Sequence, residues 1–198
     1  MGGSAPAQVG FRGEHMGEIH VHEFVSLDGV IDNPHWSAEY PWDDAMSERI
    51  AEVCNSSTGI LLGRRTFEMF ARAWPGRTAE EDPGAPFFNE TPKYVVSSTL
   101  ADPGSLWANS TGIGGYDVGA IRRTAEQAGN LYVSGSGTLV RQMLADGLVD
   151  ELHLCVYPTA RGEGPKLFPD GVAPFNLERS AADAYDNGVL YLAYRPRT

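Results

Sequence analysis

Apolar residues fall in two rhythms along the chain, alternating or continuous short runs and runs at helical spacing, and they predict an order of elements. Residues 18–27, EIHVHEFVSL, predict a first strand that Asp28-Gly29 ends, and Val30–Ser37 predicts a loop. Pro41 suits the first position of a helix, with Met46, Ile50, Val53 and Cys54 on its buried side. Thr58–Leu62 predicts a short central strand, Gly63 breaks it, and Arg64–Ala73 predicts a helix with Phe67, Phe70, Ala71 and Trp74 inward. Pro75–Pro92 shows no period and carries four prolines, so it predicts a long loop. Tyr94–Ser97 and Leu106–Ser110 predict two more strands, and Tyr116–Ala128 a helix.

Leu131–Asp146, LYVSGSGTLVRQMLAD, is the stretch that organises the rest. Leu131-Tyr132-Val133 predicts a buried strand, Ser134–Gly137 breaks it, and Leu139, Val140, Met143 and Leu144 then fall on one helical face. Val149–Tyr157 alternates as a strand, Pro158–Pro169 is a glycine-rich loop, and Phe175–Tyr185 with Val189–Tyr194 flank Asp186-Asn187-Gly188, a hairpin signal. Strands that alternate with helices and close on a hairpin predict an α/β fold. Its sheet is mixed and mostly parallel, with a C-terminal antiparallel hairpin. Ligands of such sheets bind beyond the carboxyl ends of the strands.

Three strand ends carry candidate anion chemistry. A helix start has backbone N–H groups without internal partners, and glycine allows close approach to them. Gly135-Ser136-Gly137-Thr138 offers this, or else only a tight turn. It is no Rossmann fingerprint, because the third glycine would fall at Val140. Gly63-Arg64-Arg65-Thr66 puts two cations at a helix start that is already partly positive, which makes sense if an anion docks there. The alternative is a pair of solvated arginines. Ser97 and Ser98 follow a third strand, to touch a ribose or phosphate or to cap a turn.

Charge narrows the partners. Net charge is −11, which argues against nucleic acid or an anionic membrane. Only Lys93 and Lys166 are lysines, so a phosphate site must use arginines and backbone amides. Cys54 and Cys155 have no metal-ligand spacing, no 18-residue apolar run occurs, and His20 and His22 alternate as neighbours on one strand face rather than as a metal pair. No metal is expected, and a cytoplasmic location is the default. Residues 1–16 are expected to be a disordered N-terminal extension, with residues 17–198 forming the domain.

Together the landmarks Ser26-Leu27-Asp28-Gly29, Leu62–Glu68, Val96-Ser97-Ser98, Val133–Gly137 and Asp150-Glu151-Leu152 leading to Gly162–Phe168 make the chain resemble the dihydrofolate reductase family. The likeness is greater to the branch related to the reductase domain of riboflavin biosynthesis. The resemblance implies one dihydrofolate reductase-like sheet with helices on both faces, NADPH as cofactor, and a homodimer, for which Phe87, Phe88 and Leu190 would offer apolar surface. It implies Arg64 and Arg65 at the 2′-phosphate, Thr66 at a phosphate, Ser97 or Ser98 on the adenosine side, and Gly135, Ser136, Gly137 and Thr138 at the pyrophosphate, with Gly63 opening the helix.

The substrate half departs from the dihydrofolate-reducing members. The position that should hold their acid falls near Ser47, with Asp43, Asp44 and Glu48 close by. Asp44 or Glu48 is the candidate proton donor, unless water serves or the acids only complement a helix dipole. Asp28, Trp36 and Trp42 are candidate substrate contacts, the aromatics being suited to a flat heterocycle or else to a core. No His-x-Glu or Pro-Cys-x-x-Cys occurs, so the deaminase signature is lacking. The expected activity is hydride transfer from NADPH to a small pterin- or pyrimidine-like heterocycle or a carbonyl. The alternative is a nucleotide-binding or ligand-sequestering protein without turnover.

Overall fold

A computed structural model describes residues 17–197; the expected extension at 1–16 lies outside the described residues. Eight strands form one sheet in the order β4-β3-β2-β5-β1-β6-β8-β7. They are β1 (Ile19–Ser26), β2 (Gly59–Gly63), β3 (Lys93–Val96), β4 (Ser110–Gly114), β5 (Leu131–Ser134), β6 (Glu151–Tyr157), β7 (Leu177–Ala184) and β8 (Leu190–Pro196). All pairings from β4 across to β6 are parallel, while β8 runs antiparallel to both β6 and β7. The helices are α1 (Asp44–Asn55), α2 (Arg64–Ala73), α3 (Ala85–Glu90), α4 (Val118–Ala128) and α5 (Gly137–Ala145).

The strand alternation assigns the faces. Ile19, Val21 and Val25 of β1 point to one side, where Ile121 and Ala125 of α4 and Leu139, Val140 and Met143 of α5 close over them. On the other side Val53 and Cys54 of α1, Phe67 of α2 and Phe88 of α3 pack on Ile60, Leu62, Val95 and Tyr132. A third cluster, with Trp36, Met46, Cys155, Tyr157 and Tyr191, joins the hairpin to α1. Both cysteines are buried, and burial pushes their thiols up, to about 11 for Cys54 and about 12 for Cys155. Among the described residues no helix is long and apolar enough to cross a membrane.

The structure corrects several boundaries. Pro41 precedes its helix; Asp43 is the N-cap, accepting from the Met46 N–H at 3.0 Å. The predicted loop Val30–Ser37 runs into a 3-10 turn, Pro34–Glu39. The long proline-bearing stretch contains α3, whose Phe88 is buried and stacked on Trp74 at 4.1 Å, so Phe88 does not offer the free apolar surface expected of it. The strand expected at Leu106–Ser110 begins only at Ser110. Trp107 belongs to the turn before it and fills the core over Phe67 and the Lys93 ammonium, which lies 4.4 Å from its ring centre. A large apolar side chain next to a turn reads like a strand until its burial is known.

Candidate active site

The C-terminal ends of β2, β3 and β5, with the loops after β1 and β4, surround a cleft of about 860 Å³. Gly63, Arg64, Arg65, Thr66, Ser97, Ser98, Gly135, Ser136, Gly137 and Thr138 all line it. Residues from three separate strand ends are thus brought together on one side of the sheet. The volume is that of a site for a ligand of cofactor size.

Local structure explains how these residues are held. Gly135 and Ser136 both have left-handed backbones, with φ of 58° and 56°. Glycine takes that conformation without strain, whereas a serine there costs energy and must be held by its neighbours. Two hydrogen bonds do so. The Ser136 N–H donates to Thr66 Oγ1 at 2.9 Å, and the Gly63 N–H donates to Ser136 Oγ at 3.0 Å. The glycine turn before α5 is therefore stitched to the start of α2. Thr66, 9% exposed, accepts this bond on one lone pair of its hydroxyl while it lines the cleft.

The helix starts differ in a way that matters for binding. Asp43 caps α1 and Asp117 caps α4 by accepting backbone N–H groups. At α2 the N-cap is Gly63 and at α5 it is Ser136, and neither caps with its side chain. Nor does either helix carry an acid in its first turn. The two helices that open on the cleft therefore present their first N–H groups and the positive ends of their dipoles to it. Arg64 and Arg65 are exposed beside them, and Arg64 Nη1 is 3.8 Å from Glu68 Oε1. Anionic groups of a ligand fit this arrangement, while the bare Gly137 and Gly135 let Ile31 and Thr66 pack against the turn, 2.7 Å and 3.3 Å from where a Cβ would stand. Ser97 Oγ accepts from the N–H groups of Thr99 and Leu100, which shapes the loop after β3, while Ser98 is exposed on the cleft wall.

The residues expected on the substrate side lie apart from this cleft. Asp44 and Glu48 are exposed on the first turns of α1 and are absent from the lining. Asp28 organises a loop: its carboxylate accepts from Ser26 Oγ at 2.5 Å, the Arg161 N–H at 3.0 Å and the Gly162 N–H at 2.7 Å. Those bonds, the Ser26 hydroxyl foremost, hold its pKa well below the usual carboxylate range. Trp36 is buried, its ring 5.3 Å from Tyr157, while Trp42 is 59% exposed, 6.4 Å from Phe24, with its indole N–H donating to Ser47 Oγ. Asp32, Asn33 and Pro34 line the cleft, and Pro34 begins the turn that carries the buried Trp36.

Two residues near the cleft escaped the sequence reading. Arg141 lines it from the second turn of α5. Glu23 is buried in β1 at 3% exposure, with Oε1 lacking a hydrogen-bond partner, and desolvation raises its pKa well above the carboxylate range. Its signal was present as an acid at an inward position between Val21 and Val25.

A sequence model of the RibD C-terminal domain family matches residues 18–112 and 120–191. The uncharacterised protein YyaP of Bacillus subtilis strain 168 is 26% identical over 180 residues, covering 86% of this chain and 90% of its own length. Among solved structures, a riboflavin-biosynthesis candidate from Shewanella sp. PV-4 superposes with a TM-score of 0.74 at 20% identity, over 91% of this chain and 99% of that one. Dihydrofolate reductase of Enterococcus faecalis, solved with NADP(H), superposes with a TM-score of 0.58 at 18% identity, over 92% and 98%. The structural likenesses show a dihydrofolate reductase-like fold. The matched segments contain both stitched helix starts of the cleft, and the chain belongs to the RibD C-terminal domain family.

Proposed function

We propose that this chain is an NADPH-dependent reductase that passes hydride to a small pterin- or pyrimidine-like heterocycle or to a carbonyl. The observation that carries the reading is the pair of uncapped helix starts, α2 and α5, facing one cleft with Arg64 and Arg65 at its mouth. A dinucleotide has two anionic parts to match them. The α5 turn, Gly135–Thr138, would hold the pyrophosphate through backbone N–H groups, and Arg64 and Arg65 would hold the 2′-phosphate through paired guanidinium N–H groups. Ser98 stands on the adenosine side. The bound nicotinamide supplies the hydride, and the chain supplies alignment and charge. The aromatic group around Trp42 and Phe24 supplies the flat surface for an acceptor. NADP(H) in the related Enterococcus dihydrofolate reductase supports the same cofactor class.

The arginines make the test. A hydrogen bond to a charged group contributes roughly 1.5–3 kcal/mol, which is about 10- to 150-fold in affinity. Arg64 shares its charge with Glu68, so Arg65→Ala is expected to weaken NADPH binding more than Arg64→Ala does. NADH binding should change little in either. Titration of both cofactors against the single variants and the double variant measures this. A double variant that prefers NADPH as strongly as the parent places the 2′-phosphate elsewhere and overturns the assignment. Binding without NADPH oxidation across pterins, pyrimidines and quinones would leave a nucleotide-binding protein without turnover.

A further inference from the structure

Glu23 sits where the sheet opens. β1 pairs with β5 only as far as His22 and Ser134, so Glu23 is the first β1 residue beyond that pairing, level with the turn that begins α5. On its other side it pairs with Leu154 of β6. Its face is otherwise apolar: Val21 and Val25 from β1, Leu139 and Val140 from α5, and Ile31 and Leu167 from the neighbouring loops. The charged group that acts on it is Arg141 of α5, and Lys166 is exposed next to Leu167.

Arg141 nevertheless directs its donors elsewhere. Nη1 donates to the Lys166 carbonyl at 3.2 Å and Nη2 to Thr138 Oγ1 at 3.3 Å. These bonds keep the guanidinium in the cleft wall, with Nη1 3.4 Å from where a Cβ on Gly137 would stand. A cation thus rests at the uncapped start of α5, where the helix dipole is already positive, and an anionic ligand is its natural complement. An ionised Glu23 would compete for that cation. Burial in an apolar face keeps the carboxyl neutral and prevents the competition.

We propose that Arg141 is a ligand-binding residue that takes the phosphate bridge of a dinucleotide at Gly137, and that Glu23 is a positioning residue that leaves this guanidinium to the ligand. The proposal rests on the cofactor reading above and adds to it a contact common to NADPH and NADH.

Direct binding, followed by the fluorescence of the reduced cofactors, tests it. Arg141→Gln is expected to weaken NADPH and NADH alike, by about 10- to 150-fold. Unchanged NADH affinity in Arg141→Gln, with a parent that binds, overturns this proposal alone. A parent that binds neither cofactor overturns the cofactor reading, and this proposal with it. The Glu23 part is read with NADH, because a phosphate monoester such as the 2′-phosphate titrates near about pH 6 and NADH lacks it. NADH affinity should fall in the parent as pH rises from 6 to 9.5, because burial holds the Glu23 carboxyl neutral well above the ordinary carboxylate range and its ionisation then draws on the Arg141 charge. It should stay level in Glu23→Gln, which keeps the shape, and in Arg141→Gln, which has no charge to lose. Thermal unfolding at each pH confirms that the proteins are folded. A level parent, or a slope that survives in Glu23→Gln, overturns the role of Glu23.

Discussion

Consecutive residues of β1 titrate against stability in opposite directions, and replacing one of them separates the two effects. His22 is buried, hydrogen-bonded to Tyr132 at 2.7 Å, and desolvation, helped by nearby His153, lowers its pKa from 6.5 to about 3. Its stabilising contribution is complete above about pH 6.5 and is lost as pH falls towards 3, because the unfolded chain then accepts a proton that the folded chain refuses. Desolvation raises Glu23 well above its ordinary 4.5. Its contribution is complete below about pH 4.5 and is lost as pH rises through the folded value. Within its window each group changes the unfolding free energy by about 1.4 kcal/mol per pH unit. Between pH 4.5 and 6.5 the two slopes oppose; above 6.5 the histidine slope fades and that of Glu23 comes to dominate. His153, lowered mainly by desolvation, joins the acid side. Lys93, lowered by desolvation to about 8, adds stability with rising pH only from there upward. From pH 6.5 to 7.5 the parent should therefore lose stability relative to Glu23→Gln, by at most about 1.4 kcal/mol per pH unit while the folded carboxyl stays neutral, a sizeable part of a typical 5–15 kcal/mol stability. Urea unfolding at pH 5.5, 6.5 and 7.5 measures the loss, and Glu23→Gln should abolish it. Parallel profiles for the two proteins between pH 6.5 and 7.5 would refute the picture of Glu23 as a neutral buried acid.

Ser136→Ala removes the acceptor of the part-buried Gly63 N–H, and the loss of such a bond costs about 1 kcal/mol. Both thermal stability and NADPH affinity should drop, and an unchanged affinity would separate the stitch from binding. Asp44→Asn and Glu48→Gln, on exposed turns outside the cleft lining, should leave NADPH affinity unaltered in a fluorescence titration. If either also cuts turnover with an active acceptor by the roughly 10²–10⁴-fold typical of a general acid, the acceptor binds at the α1 end.

What could be read from the sequence follows from how strongly each element is punctuated. α2 stands between Gly63 and Trp74 with its apolar residues in period, and the structure places it at Arg64–Ala73 as expected. The β5 strand and the α5 helix are separated by small residues that no other element type tolerates so well, and the ten cleft residues fall together because all of them follow strand ends. α3 was hidden because six residues among prolines show no period. The start of β4 was masked by Trp107, whose burial depends on the partners Phe67 and Lys93 rather than on its own neighbours. Glu23 and Arg141 needed the strand register and the helix rotation together, since they lie far apart in sequence and only the fold brings the Arg141 charge to bear on the buried carboxyl.

The stitch between Thr66, Ser136 and Gly63 has a consequence for how this cleft can be altered. Its partners lie about seventy residues apart in sequence, yet each supplies what the other lacks, a hydroxyl for an amide in both directions. A change to either loop alone leaves an amide without its acceptor, so the two loops can be exchanged between related chains only as a matched pair. Transplanting Gly63–Phe67 without Gly135–Thr138 would carry over the residues of a binding loop without the scaffold that gives it its shape.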